Sequence, residues 1–135
     1  MDILDTGRIR IEPKEGMCLH FSLYAECEVP EEDLSLTRTY IDQFDGKVSF
    51  LVTRDSKYSL SAGAQIVMFK DAATRVKAVA YVDRSHVDTL LSANANNTYL
   101  RDVDVCCFDS VEKAFEWICQ YGPLPKMKSL TPTLD

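Results

Sequence analysis

Two short segments of this chain hold the residue types best suited to chemistry or to gripping an anion: Asp55-Ser56-Lys57 and Asp83-Arg84-Ser85-His86. A serine, a histidine and an aspartate can form a proton relay, and Ser56, His86 and Asp83 supply one of each. Such a relay needs its serine on a tight turn beside backbone N–H donors, and no Gly-x-Ser-x-Gly surrounds any serine here. The phosphate-binding patterns Gly-x-x-x-x-Gly-Lys and Gly-x-Gly-x-x-Gly are missing too, so there is no nucleotide fingerprint. The segments therefore read as a binding set, not a catalytic one, and imply no cofactor. Ser56, Lys57, Arg84 and His86 offer a hydroxyl, an ammonium, a guanidinium and an imidazole to a phosphate or carboxylate near a helix N-terminus. The plainer reading makes Ser85 and Asp109 helix caps, Asp55 and Asp83 turn residues, and His86 an exposed first-turn residue.

The second informative segment is Ile66-Val67-Met68-Phe69. Successive helical side chains are set about 100° apart, so these four sweep most of a helix and cannot all face one sheet. Val67 and Met68, with neighbours toward Phe69, are expected to line either a subunit contact or an apolar cavity. Burial under neighbouring loops is the ordinary alternative. Lys57, Lys70, Arg75 and Lys77 surround the segment, which suits an anionic headgroup beside an apolar surface. A metal is not implied. The five cysteines, Cys18, Cys27, Cys106, Cys107 and Cys119, form no Cys-x-x-Cys, and His20 and His86 lie far from any zinc-type spacing. They read as small buried hydrophobes.

The elements that position these residues follow from periodicity. Arg8–Glu12 alternates with period two, Pro13-Lys14-Glu15-Gly16 reads as a turn, and Met17–Tyr24 continues as a strand with His20 and Ser22 on one face. Pro30 at the first helical position, followed by Glu31, Glu32 and Asp33, opens a helix carrying Leu34, Thr37, Ile41 and Phe44, closed at Gly46. Lys47–Thr53 is a strand, Leu60–Ala73 a helix, and Val76–Val82 an apolar strand suited to a central, parallel position. Ser85 caps a helix that fails at Asn94–Asn97, and Val103–Phe108 is the last strand. Asp109 caps a final helix with Val111, Ala114, Phe115 and Ile118 inward, in which Trp117 packs on Phe108 and both are largely buried. The order is β-β-α-β-α-β-α-β-α: an α/β domain over residues 1–122, its five-stranded sheet mostly parallel with an antiparallel N-terminal edge strand. Residues 123–135 read as a loose tail.

One stretch resembles a known family. Val79-Ala80-Tyr81-Val82-Asp83, then Val105-Cys106-Cys107-Phe108-Asp109 and Glu112-x-Ala114-x-x-Trp117-Ile118, resembles the SpoIIAA-like family of bacteria. Those proteins are similar in fold to the STAS domains of anti-anti-sigma factors and to Sec14/CRAL-TRIO lipid-binding domains. The resemblance implies a non-enzymatic module. One branch binds partner proteins and is switched by phosphorylation of a serine after the third strand; the other holds lipids or other apolar molecules. Ser56 follows the strand ending at Thr53, the place of that serine. The chain reads Asp55-Ser56-Lys57-Tyr58 where the family's switch has Asp-Ser-Ser/Thr-Gly.

Charge narrows the partners. The net charge is −6, with 4 basic and 11 acidic groups in residues 1–46, 7 and 3 in residues 47–84, and 4 and 7 in residues 85–135. A dense basic stripe for nucleic acid is missing. No apolar run approaches the ~20 residues that cross a bilayer, and Met1-Asp2-Ile3-Leu4-Asp5 lacks the pattern of a signal peptide, which points to the cytoplasm. The expected partner is a small apolar or anionic ligand, with peripheral membrane association. A STAS-like regulatory protein contact, or a homodimer, is the alternative.

Overall fold

The computed structural model describes residues 3–23, 27–54, 58–60, 72–82 and 103–128. Eight strands and three helices lie in them: β1 (Leu4–Asp5), β2 (Ile9–Lys14), β3 (Cys18–Leu23), β4 (Cys27–Val29), α1 (Glu31–Ile41), β5 (Val48–Arg54), β6 (Tyr58–Leu60), α2 (Ala72–Arg75), β7 (Val76–Val82), β8 (Asp104–Phe108) and α3 (Val111–Cys119). Six strands form one sheet in the order β1-β2-β3-β5-β7-β8. The pairs β1–β2 and β2–β3 are antiparallel, and every pair from β3 to β8 is parallel. This is the mostly parallel α/β sheet that the alternation of strands and helices implies, with β7 inside it.

Three expectations change. The main sheet has six strands, not five, because Leu4–Asp5 pairs with Arg10 and Ile11 as an added edge. Two residues are too few to show a period. A separate two-stranded sheet joins β4 and β6 in parallel, so Leu60 pairs with Val29 and does not open a helix, while the described helical residues before β7 are Ala72–Arg75, two positions past the expected end at Ala73. In the hairpin, Pro13 and Lys14 stay in β2, and the turn falls on Glu15 and Gly16, at φ 51° and 70°. The ring of Pro13 is tolerated there, early in the sheet and next to the turn.

Strand alternation sorts the core into two layers. On one face, Ile9, Ile11, Leu19, Phe21, Phe50, Val52, Val79 and Tyr81 pack with Leu34, Tyr40 and Ile41 of α1. On the other, Cys18, Leu51, Ala78, Ala80 and Val82 pack with Ala114 and Ile118 of α3. Pro30 precedes α1 as its cap residue, one position before the first helical turn, and Glu31, Glu32 and Asp33 sit at the positive end of the dipole. Asp33 is 2% exposed. Its carboxylate accepts from the Thr6 hydroxyl at 2.8 Å and pairs with Arg8 at 3.2 Å, tying the β1–β2 turn to α1. The cap of α3 is Ser110, whose Oγ accepts from the Lys113 N–H at 3.2 Å. Asp109, expected in that role, instead bonds the Lys113 ammonium.

Residues 123–128 are not loose. Leu124 N–H donates to Gly16 O, Asp45 N–H to Lys126 O and Lys128 N–H to Gln43 O, and Met127 bridges Phe44. Leu124 and Met127 also pack on the core beside α1. Prolines at 123 and 125 carry no N–H, so the segment bonds through the residues between and after them.

Candidate functional site

Ser56, Lys57, Ile66, Val67, Met68, Phe69, Arg84 and His86 lie outside the described residues, as do Asp55, Asp83 and Ser85. The strands that lead to them are described. The carboxyl ends of β3, β5, β7 and β8 share one edge of the sheet, with Thr53 paired to Ser22 and Val82, and Val82 to Phe108. Ligands of open parallel sheets bind outside such an edge.

Register partners share a face, so Ser22, Thr53, Val82 and Phe108 form a row across four strands on the face covered by α3. The row changes character along its length. At the β3–β5 end, His20 Nε2 lies 2.9 Å from Thr53 Oγ1 and 3.5 Å from Ser22 Oγ, and Thr53 Oγ1 donates to Ser22 Oγ at 3.3 Å. Which group donates at His20 Nε2 follows the tautomer of the histidine. Thr53 is only 8% exposed, and on the same face His20 lies in the next row, in register with the buried Leu51 and, beyond it, Ala80. At the β7–β8 end the row is apolar, with Val82 and Phe108.

The sequence placed His20 and Ser22 together on one strand face. It missed Thr53, which comes from the neighbouring strand and is recruited only by the parallel register. The three are mid-strand residues, not residues of the sharp strand-to-helix turn that presents a nucleophile.

Beyond Phe108 a shallow groove of about 460 Å³ opens against α3, lined by Phe108, Lys113, Glu116, Trp117 and Gln120. Phe108 and Trp117 meet as expected, with ring centroids 5.6 Å apart, but both are half-buried and not enclosed. Trp117 lies one position before the inward Ile118, which turns part of its indole to the rim. Tyr121 packs edge-on against it at 5.1 Å and donates its hydroxyl to Asp104 at 2.8 Å. Burial, then this bond and the Asp104 charge, push the Tyr121 phenol up to about 12.

At the opposite, amino end of the strands, a cleft of about 290 Å³ runs between the end of α1, Thr74–Arg75 and Lys128. Arg75 is paired with Asp42 here, and its Nε is buried without an acceptor among the described residues. An atom that water cannot reach is closed to a ligand too, so this contact fastens α2 to α1. Lys77 donates to Tyr121 O at 3.0 Å. Two of the four cations expected around the apolar helix, Arg75 and Lys77, are therefore held by protein groups. Among the described residues no cluster of three His, Cys, Asp or Glu is placed to hold a metal, and no helix is long and apolar enough to cross a membrane.

A mixed, mostly parallel sheet with antiparallel N-terminal strands and a last helix on its second face defines the class of α/β fold. Among solved structures, the chain is similar to an uncharacterized protein of the DUF3478 family with a SpoIIAA-like fold from Shewanella loihica PV-4, with a TM-score of 0.60 over 82% of this chain and 92% of that one, at 18% identity. The chain has a SpoIIAA-like fold. No family model and no curated protein matches it.

Proposed function

We propose that this chain is a non-enzymatic binding module whose ligand is taken at the carboxyl edge of the parallel strands. The ligand is amphipathic and of lipid type, an apolar molecule with an anionic or oxygen-rich head, met at a membrane surface. One observation carries this reading: the row that runs from the His20–Ser22–Thr53 cluster to Val82 and Phe108. A buried hydroxyl, Thr53, with a half-buried serine and imidazole beside it, interrupts an apolar sheet face, and a buried polar group left without partners costs ~1–3 kcal/mol. Here they bond one another and form a polar patch beside the apolar row. A ligand head with hydrogen-bonding oxygens fits that patch, and its tail fits the apolar end.

The test combines native mass spectrometry of the purified protein with flotation on phosphatidylserine and phosphatidylcholine vesicles. The expected result is a co-purified apolar molecule and flotation on the anionic vesicles, weakened several-fold by Ser22→Ala and Thr53→Val. Neither a bound molecule nor flotation would sink the proposal. A stable complex with a regulatory protein, without a small molecule, would replace it with a STAS-like interaction role.

A further inference from the structure

The groove between β8 and α3 has a chemistry of its own. We propose that it binds a small organic cation of the alkyl-ammonium class, held between the Trp117 indole and the Glu116 carboxylate. The inference does not rest on the reading above: the polar cluster belongs to β3 and β5, and Phe108 is the one residue that the two share.

Four observations converge. The floor is aromatic, with Phe108 and Trp117 tilted 48° to one another, and aromatic faces attract cations, indole most strongly. The indole is held in place from behind, since Tyr121 packs on it and is itself anchored to Asp104. The cation already present is neutralised: Lys113 is drawn to Asp109, with Nζ 3.0 Å from Oδ1. Glu116 makes no ion pair among the described residues, which leaves it as the uncompensated charge of the groove.

The surroundings agree in sign. Residues 103–122 hold four acidic side chains, Asp104, Asp109, Glu112 and Glu116, against the cation Lys113, and two lysines that reach this part of the fold are engaged, Lys77 at Tyr121 O and Lys14 over the Phe115 ring. Gln120 adds an acceptor. Its Nε2 donates to Trp117 O at 2.9 Å, which leaves Oε1 available. A volume of about 460 Å³ suits a ligand of a few heavy atoms.

Trp117 is the only tryptophan in the chain, so its emission reads this groove and nothing else. Choline is titrated at constant ionic strength, against its neutral isostere 3,3-dimethylbutan-1-ol. The expected result is a saturable change in emission with choline, in the millimolar range, and none with the alcohol. Glu116→Gln, an exposed substitution whose folding is checked by circular dichroism, is expected to weaken choline binding ~3–10-fold. Thr6→Val, at the β1–β2 turn beside α1, is expected to leave it unchanged. An emission that does not saturate, an equal response to the alcohol, or unaltered binding in Glu116→Gln would each overturn the proposal.

Discussion

Asp33 shows how much one side chain can settle. A carboxylate 2% exposed at the start of α1 is tolerable only because Thr6 and Arg8 reach it from the β1–β2 turn. Arg8 is itself part-exposed, so solvent screening discounts the ion pair. Replacing Arg8 by Met strands the buried carboxylate, and the expected loss is ~1–3 kcal/mol in urea unfolding. Thr6→Val is expected to cost less, about 1 kcal/mol, since it removes one neutral donor. Cys18 makes a second prediction. Burial, with Cys119 adding to it, raises its thiol from 9.0 to about 12. The folded thiol holds its proton more tightly than the unfolded one. The associated stability is therefore complete below pH 9 and is lost as pH rises from there through about 12. At pH 8 the folded protein is expected to resist thiol labelling at Cys18 while the exposed Cys107 reacts, as site-resolved mass spectrometry would show. Equal labelling at both would contradict the placement of Cys18 under α3.

The long periodic elements were legible in the sequence because their signal is repeated. Val48–Arg54, Val76–Val82 and Val111–Cys119 each present several residues to one layer. What could not be read had no repeat to show. A two-residue edge strand, a three-residue pair between Cys27–Val29 and Tyr58–Leu60, and a cap shifted from Asp109 to Ser110 are decided by neighbours distant in sequence or by a single hydrogen bond. The candidate site divides in the same way. His20 and Ser22 share a strand and could be paired from spacing, whereas Thr53 joins them only through β3–β5 register. Half-burial of Trp117 lowers the expected cost of Trp117→Ala from the ~3–5 kcal/mol of a core aromatic to about half of that. Ser110→Ala removes the α3 cap and is expected to cost ~1 kcal/mol. Thermal unfolding of the two variants checks both, and an unchanged melting temperature in either would refute the contact assigned to it.

Across the whole molecule, the segment after α3 closes a ring of contacts. It returns from the end of α3 to the hairpin at Gly16 and to the α1 end at Gln43–Asp45. Truncation after Gly122 removes three backbone hydrogen bonds and the cover supplied by Leu124 and Met127. The expected loss is ~2–4 kcal/mol, while truncation after Lys128 retains those contacts and is expected to be close to neutral. Equal melting temperatures for the two truncations would show that the segment contributes nothing. The position of α3 has another consequence, for association. Among the described residues this helix is what covers the face built from Leu51, Ala78, Ala80 and Val82, and two residues, Asp109 and Ser110, join it to β8. If α3 lifts away, the six-stranded ladder and the layer under α1 remain, and a continuous apolar strip is bared for an identical helix from another copy. An exchange of last helices between two copies would cover that strip again, at the cost of the contacts that Leu124, Lys126 and Lys128 make after α3.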